Sequence, residues 1–120
     1  DISECVSAIE HLRGSKVSQT EDLREQRQKL WDMVQNLMKK AENYSADYQL
    51  HVWEEVDNLI NTYATDFLYV AEPARLIELL QSISDNSESL AKGNPDLKER
   101  SQALKASVDR TIARVQTAQS

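Results

Sequence analysis

The chain predicts an all-α protein: an up-and-down antiparallel helical bundle of four to five helices, three of them long, as a single domain over residues 1–120. Three observations carry that expectation. Only two Gly and two Pro interrupt the 120 residues, too few for a turn-rich β protein. Apolar residues recur at intervals of three and four, the helical period. The stop-and-start signals at Gly14, Glu72-Pro73 and Lys92-Gly93-Asn94-Pro95 leave connections of about two to five residues, which make neighbouring helices antiparallel. A chain of this length buries roughly 65% of its unfolded surface, enough for one core without a metal or disulfide.

Residues 2–13 read as a short helix with the stripe Ile2, Cys5, Val6, Ile9 and Leu12, closed by Gly14 as a C-cap. Ser18 and Glu21 form a capping box for a second helix running to about Tyr44. Its seam, Leu23, Arg27, Leu30, Val34, Leu37, Ala41 and Tyr44, alternates by four and three, the heptad of near-parallel packed helices. Ser45 or Asp47 caps the third and central helix, expected over about Asp47 to Ala71 and ended by Glu72-Pro73. Proline cannot continue a helix but suits the first turn of the next. The fourth helix therefore starts there and carries Leu76, Ile77, Leu80, Ile83, Ser87 and Leu90 inward. Its later half, SISDNSES, is rich in weak helix formers, so fraying or a kink is expected at Asp85-Asn86. In Lys92-Gly93-Asn94-Pro95, Gly stops a helix, Asn caps the next and Pro occupies its first position. The fifth helix runs from Asp96 to about Ala118 with Leu97, Ser101, Leu104, Val108, Ile112 and Val115 inward. The second, third and fifth helices are the three long ones.

The central helix is both the most apolar and the most acidic element. Val52, Val56, Leu59, Ile60, Tyr63, Phe67 and Val70 form one stripe, and residues 45–72 hold six acids and no Lys or Arg. The whole chain's formal charge is −6. The fifth helix carries five bases and three acids, so it is expected to lie beside the acidic third. At 100° per residue Asp47, Glu54, Asn58, Asn61 and Thr65 fall opposite the stripe. This side is read first as solvated surface. If the protein grips a basic partner, its candidate contact residues are Asp47, Glu54, Asp57, Asn58 and Asn61.

The acidic balance argues against nucleic acid or an anionic membrane surface as partner, because both demand basic patches. The longest apolar run, Phe67 to Ala71, is far short of the about 20 residues that cross a bilayer. The start at Asp1 without Met has the look of a secreted protein after signal-peptide removal, although a trimmed chain would look the same. Cys5 has no intramolecular partner and sits on an apolar stripe, so a buried thiol is expected over an intermolecular link. Asn43-Tyr44-Ser45 matches the glycosylation sequon, relevant in a secretory pathway.

No catalytic, cofactor or metal site is expected. His11 and His51 lie forty residues apart without a second ligand at helical spacing. The two glycines stand alone, so no loop cradles phosphate. Trp31 and Trp53 lie on the flanks of apolar stripes, where shielding the core edge is the first reading and a binding anchor the second. Tyr48 and Tyr69 pose the same choice. Two function classes fit: a protein that acts by binding another protein, and an exchangeable lipid carrier that opens its amphipathic helices on lipid. A carrier's helices should flank the apolar face with Lys and Arg, which the central helix lacks, so the binder leads.

The chain resembles the small acidic helical salivary proteins of anopheline mosquitoes, the anophensin and albicin family. The likeness lies in DISECVSAIEHLRG at the start, ADYQLHVWEEVDNLINTYATDFLYVAEPARL in the centre and GNPDLKERSQALKASVDRTIARVQ at the close, and it covers essentially the full length. It implies a monomeric, secreted saliva protein that blocks host defence during blood feeding. Albicin-like members bind and stall the assembled alternative-pathway complement convertase. Anophensin-like members interfere with contact activation and kinin release through factor XII and kininogen. Both act by surface contact, and no family motif assigns the contact residues.

Overall fold

In a computed structural model the chain is described over residues 2–14 and 20–119, with side chains described over 2–11 and 25–118. It is all-α: α1 (Ile2–Gly14), α2 (Thr20–Ala41), α3 (Ala46–Thr62), the single turn α4 (Ala64–Phe67), α5 (Pro73–Gly93), a 3-10 turn at Pro95–Leu97, and α6 (Lys98–Gln119). The Ser18–Glu21 capping box, the side chains of Leu12 and Leu23, and the surroundings of Gly14 lie outside what is described.

Apolar residues of α1, α2, α3, α5 and α6 close one core. Cys5, Ile9, Leu30, Val34, Leu50, Val56, Ile60, Leu76, Leu80, Ile83, Val108 and Val115 are all fully buried. α5 and α6 make the most extensive pairing, followed by α3 with α6 and α1 with α2. The molecule measures 50 × 31 × 18 Å with a Cα radius of gyration of 14.8 Å, a little above the about 13.6 Å typical of this length.

The central helix is shorter than its periodicity predicts. Its ladder stops with the Tyr63 N–H donating to the Leu59 carbonyl at 3.0 Å. Tyr63 (φ −116°, ψ 35°) turns the chain before α4. Thr62, Tyr63 and Thr65 are β-branched or aromatic, weak holders of helical backbone. The turn sets Ala64 and Phe67 in the core, with Phe67 fully buried, and lets α4 pack on α6. The three long helices are therefore α2, α5 and α6, of 22, 21 and 22 residues, while α3 has 17.

Two other local expectations are corrected. α5 runs unbroken through Asp85-Asn86 to Gly93. Its serines are used: Ser101 Oγ lies 3.3 Å from Ser87 Oγ, and Ser87 Oγ donates to the Ser84 carbonyl at 2.9 Å. The polar stretch thus bonds across to α6 instead of weakening the helix. Asn94 does not cap α6 with its side chain; its Nδ2 reaches back to the Leu90 carbonyl at 3.0 Å and closes α5. The Glu72-Pro73 boundary is as expected, with Glu72 extended and Pro73 opening α5.

Candidate functional site

The acidic side of α3 faces α6. Arg100 of α6 reaches Glu54 with Nη2 to Oε1 at 2.7 Å and Nε to Oε2 at 3.5 Å, and its Nη1 pairs with Asp47 Oδ1. The hydrogen bond to Glu54 raises the Arg100 pKa above its ordinary value; desolvation opposes it, and the hydrogen bond to Asp47 adds to the rise. Asp57 is 2% exposed. It accepts hydrogen bonds from Ser107 Oγ at 2.5 Å and Thr111 Oγ1 at 2.7 Å. Thr111 Oγ1 also lies 3.0 Å from the Ser107 carbonyl. Its single proton goes to the nearer, charged acceptor. Asn61 Nδ2 donates to Thr111 Oγ1 at 3.1 Å.

Asp57 is turned inward, while Asp47 keeps 76% of its side chain exposed. Of Asp47, Glu54, Asp57, Asn58 and Asn61, four are bonded to α6, and Asn58 alone of them stands exposed with no α6 partner among the described residues. Arg100 of the basic last helix takes up Asp47 and Glu54, whereas Asp57 and Asn61 bond to the hydroxyls of Ser107 and Thr111. Bond partners advance together along both helices, from Asp47–Arg100 to Asn61–Thr111, so α3 and α6 run parallel.

The exposed surface that remains distinctive is aromatic. Tyr44 and Tyr48 are 42% and 55% exposed. Their ring centroids lie 5.0 Å apart, edge to face, and the Tyr48 ring lies 5.9 Å from His51. His51 Nε2 is 3.0 Å from Glu55 Oε1. The tight turn after α2 builds this ridge: the Tyr44 N–H bonds the Ala41 carbonyl at 3.0 Å, and the Gln49 N–H bonds the Ser45 carbonyl at 2.8 Å. Tyr44, expected on the α2 seam, is thereby carried out of the core. The three rings rim an open cavity of about 300 Å³ floored by Ile2, Leu37 and Val52.

The tryptophans are not part of such a surface. Trp31 and Trp53 are 4% and 5% exposed, and the Arg75 guanidinium lies 5.0 Å from the Trp31 ring centroid. Tyr69 is exposed by itself, 5.6 Å from the Arg27 guanidinium. The residues 44, 48 and 51 follow the spacing of four and three on the side away from Val56 and Ile60. That repeat, counted for aromatics alone, would have marked the ridge in the sequence.

Cys5 is free and buried, and burial pushes its thiol pKa up, so it is a poor nucleophile near neutral pH. Among the described residues no group of three or more His, Cys, Asp or Glu is placed to hold a metal ion, and no helix is long and apolar enough to cross a membrane. What the arrangement offers chemically is a rigid, amphipathic contact surface: two tyrosines present large area at small entropic cost. Compared with protein-family models, curated proteins and solved structures, the chain matches none.

Proposed function

We propose that this is a secreted salivary inhibitor of host defence that binds and stalls the alternative-pathway complement convertase, and that the Tyr44–Tyr48–His51 ridge is the surface it uses. The observation that carries the mode of action is the ridge itself. Interface anchors are enriched in tyrosine, and here two exposed tyrosines rim an open cavity. The choice of target rests on the resemblance to the albicin members, and the inhibitor is stoichiometric. The surrounding fold is read as an up-and-down antiparallel bundle. The short link from α5 into α6 and the Arg100 pairs that join the starts of α3 and α6 support that order.

Serum lysis of erythrocytes under alternative-pathway and then classical-pathway conditions is the test. Selective loss of alternative-pathway lysis is expected. Replacing both Tyr44→Ala and Tyr48→Ala should raise the inhibitory concentration by about 30-fold, two kcal/mol being the common threshold of an anchor residue. Inhibition of kallikrein generation with lysis untouched would move the target to factor XII and kininogen. Activity in neither cascade, with helix exposure on vesicles, would favour the lipid carrier.

A further inference from the structure

A second cavity lies where α5 ends and α6 begins. It measures about 400 Å³ and is lined by Glu88, Ala91, Lys92, Pro95, Lys98, Ser101, Gln102 and Lys105. Its charge is unlike that of the rest of the chain. Three of the seven lysines in a molecule of net charge −6 meet at this one concavity. Its single carboxylate, Glu88, is taken by Lys105, with Nζ 3.1 Å from Oε2. That bond, more than the neighbouring charges, lowers the Glu88 pKa below the usual carboxylate value. Lys92 and Lys98 hold no ion pair among the described residues, and Asp96 and Glu99 of the adjoining turn do not line the cavity.

Beside the polar Ser101 and Gln102, the lining is apolar: Ala91, Pro95 and the methylene stems of the three lysines, which pack along a surface while their ammonium groups stay in water. The volume falls in the range of small-molecule sites, about 300–1,000 Å³. We propose that this cavity binds a small organic anion, its carboxylate, sulfate or phosphate head among Lys92, Lys98 and Lys105 and its apolar body on Ala91 and Pro95. This goes beyond convertase binding and does not depend on it.

Calorimetric titration at low salt with octanoate, octyl phosphate, octanol and inorganic phosphate tests the assignment. With about ten to thirteen non-hydrogen atoms, the two octyl anions should saturate the site in about the millimolar range. Octanol and inorganic phosphate should each bind at least about tenfold more weakly, since each lacks one of the two sets of contacts. The double variant Lys92→Gln with Lys98→Gln, both exposed, should weaken the octyl anions by about tenfold. Lys39→Gln with Lys40→Gln, an equal charge change outside the cavity, should leave binding unchanged. Tight binding of one octyl anion alone would support the site and name its head group. Absence of saturation, unchanged binding in the Lys92/Lys98 variant, or inorganic phosphate binding as well as the octyl anions would overturn the proposal.

Discussion

Replacing Asp57 with Ala removes a buried carboxylate that α3 uses to hold α6. The carboxylate accepts from Ser107 at 2.5 Å and Thr111 at 2.7 Å. Hydrogen bonds to a charged group contribute about 1.5–3 kcal/mol each, so the gross loss is about 3–6 kcal/mol. Two effects reduce it. Thr111 turns its proton to the Ser107 carbonyl, already 3.0 Å away, and recovers about 1 kcal/mol. The carboxylate is also buried without a Lys or Arg bonded to it among the described residues, and release of that desolvation returns part of the remainder. The expected net cost is about 2 kcal/mol, read as a lower urea midpoint at unchanged slope. A double-mutant cycle with Thr111→Val should show coupling of at least about 1 kcal/mol. Stability within about 0.5 kcal/mol of the parent, or no coupling, would show that the carboxylate is merely tolerated at this interface.

Four further outcomes are expected. Phe67→Ala should cost about 3–5 kcal/mol in urea unfolding, because a fully buried ring leaves a void under α4; a loss below about 1 kcal/mol would mean that the turn at Tyr63 is not held by the core. Cys5 should resist a thiol-specific disulfide reagent in the native protein and react once urea unfolds it; fast native reaction would contradict its burial. Because folding raises this thiol's pKa, its contribution is present below the unfolded value of 9.0 and lost as pH rises through the folded one. The alkaline loss of stability should therefore be smaller in Cys5→Ala. Finally, a sugar on Asn43 would sit beside Tyr44 on the ridge, so protein from a secretory host should have the mass of the bare polypeptide; a glycan accompanied by full inhibition would remove the ridge as the contact surface.

Where the sequence was legible, a local signal and a burial pattern agreed. Glu72-Pro73 marks its boundary because proline has one helical role. Leu76, Leu80 and Ile83 and then Leu104, Val108 and Val115 are buried where their period places them. Two features were not legible, for a common reason: periodicity finds a helix face but not what covers it. Asp47, Glu54, Asp57 and Asn61 have the spacing of a solvated side, and so would any polar residues that bond to a neighbouring helix. Ser87 belonged to the expected inward stripe, yet its surroundings suggested fraying, because its bond partner Ser101 lies across the α5–α6 connection. The break at Tyr63 was hidden for the opposite reason. Tyr63, Phe67 and Val70 continue the α3 stripe in number while the backbone turns beneath them.

The α6 contacts also change how the acidic side of α3 can be tested. Reversing Glu54 and Asp57 to Lys would place two cations against Arg100 and the Ser107–Thr111 hydroxyls, and lost inhibition would then report lost packing as readily as a lost partner. Asn58 avoids the confusion, since it is exposed on the same helix. Asn58→Lys should leave stability within about 0.5 kcal/mol of the parent. If the ridge carries binding, it should also leave inhibition unchanged while the Tyr44/Tyr48 variant loses it. Loss of inhibition in Asn58→Lys, at parental stability, would move the contact from the tyrosines to the acidic side of α3. A weak response that vanishes at high salt would instead mark the charge added by Asn58→Lys as a steering effect on association, because screened, exposed charges alter encounter rates more than bound-state affinity.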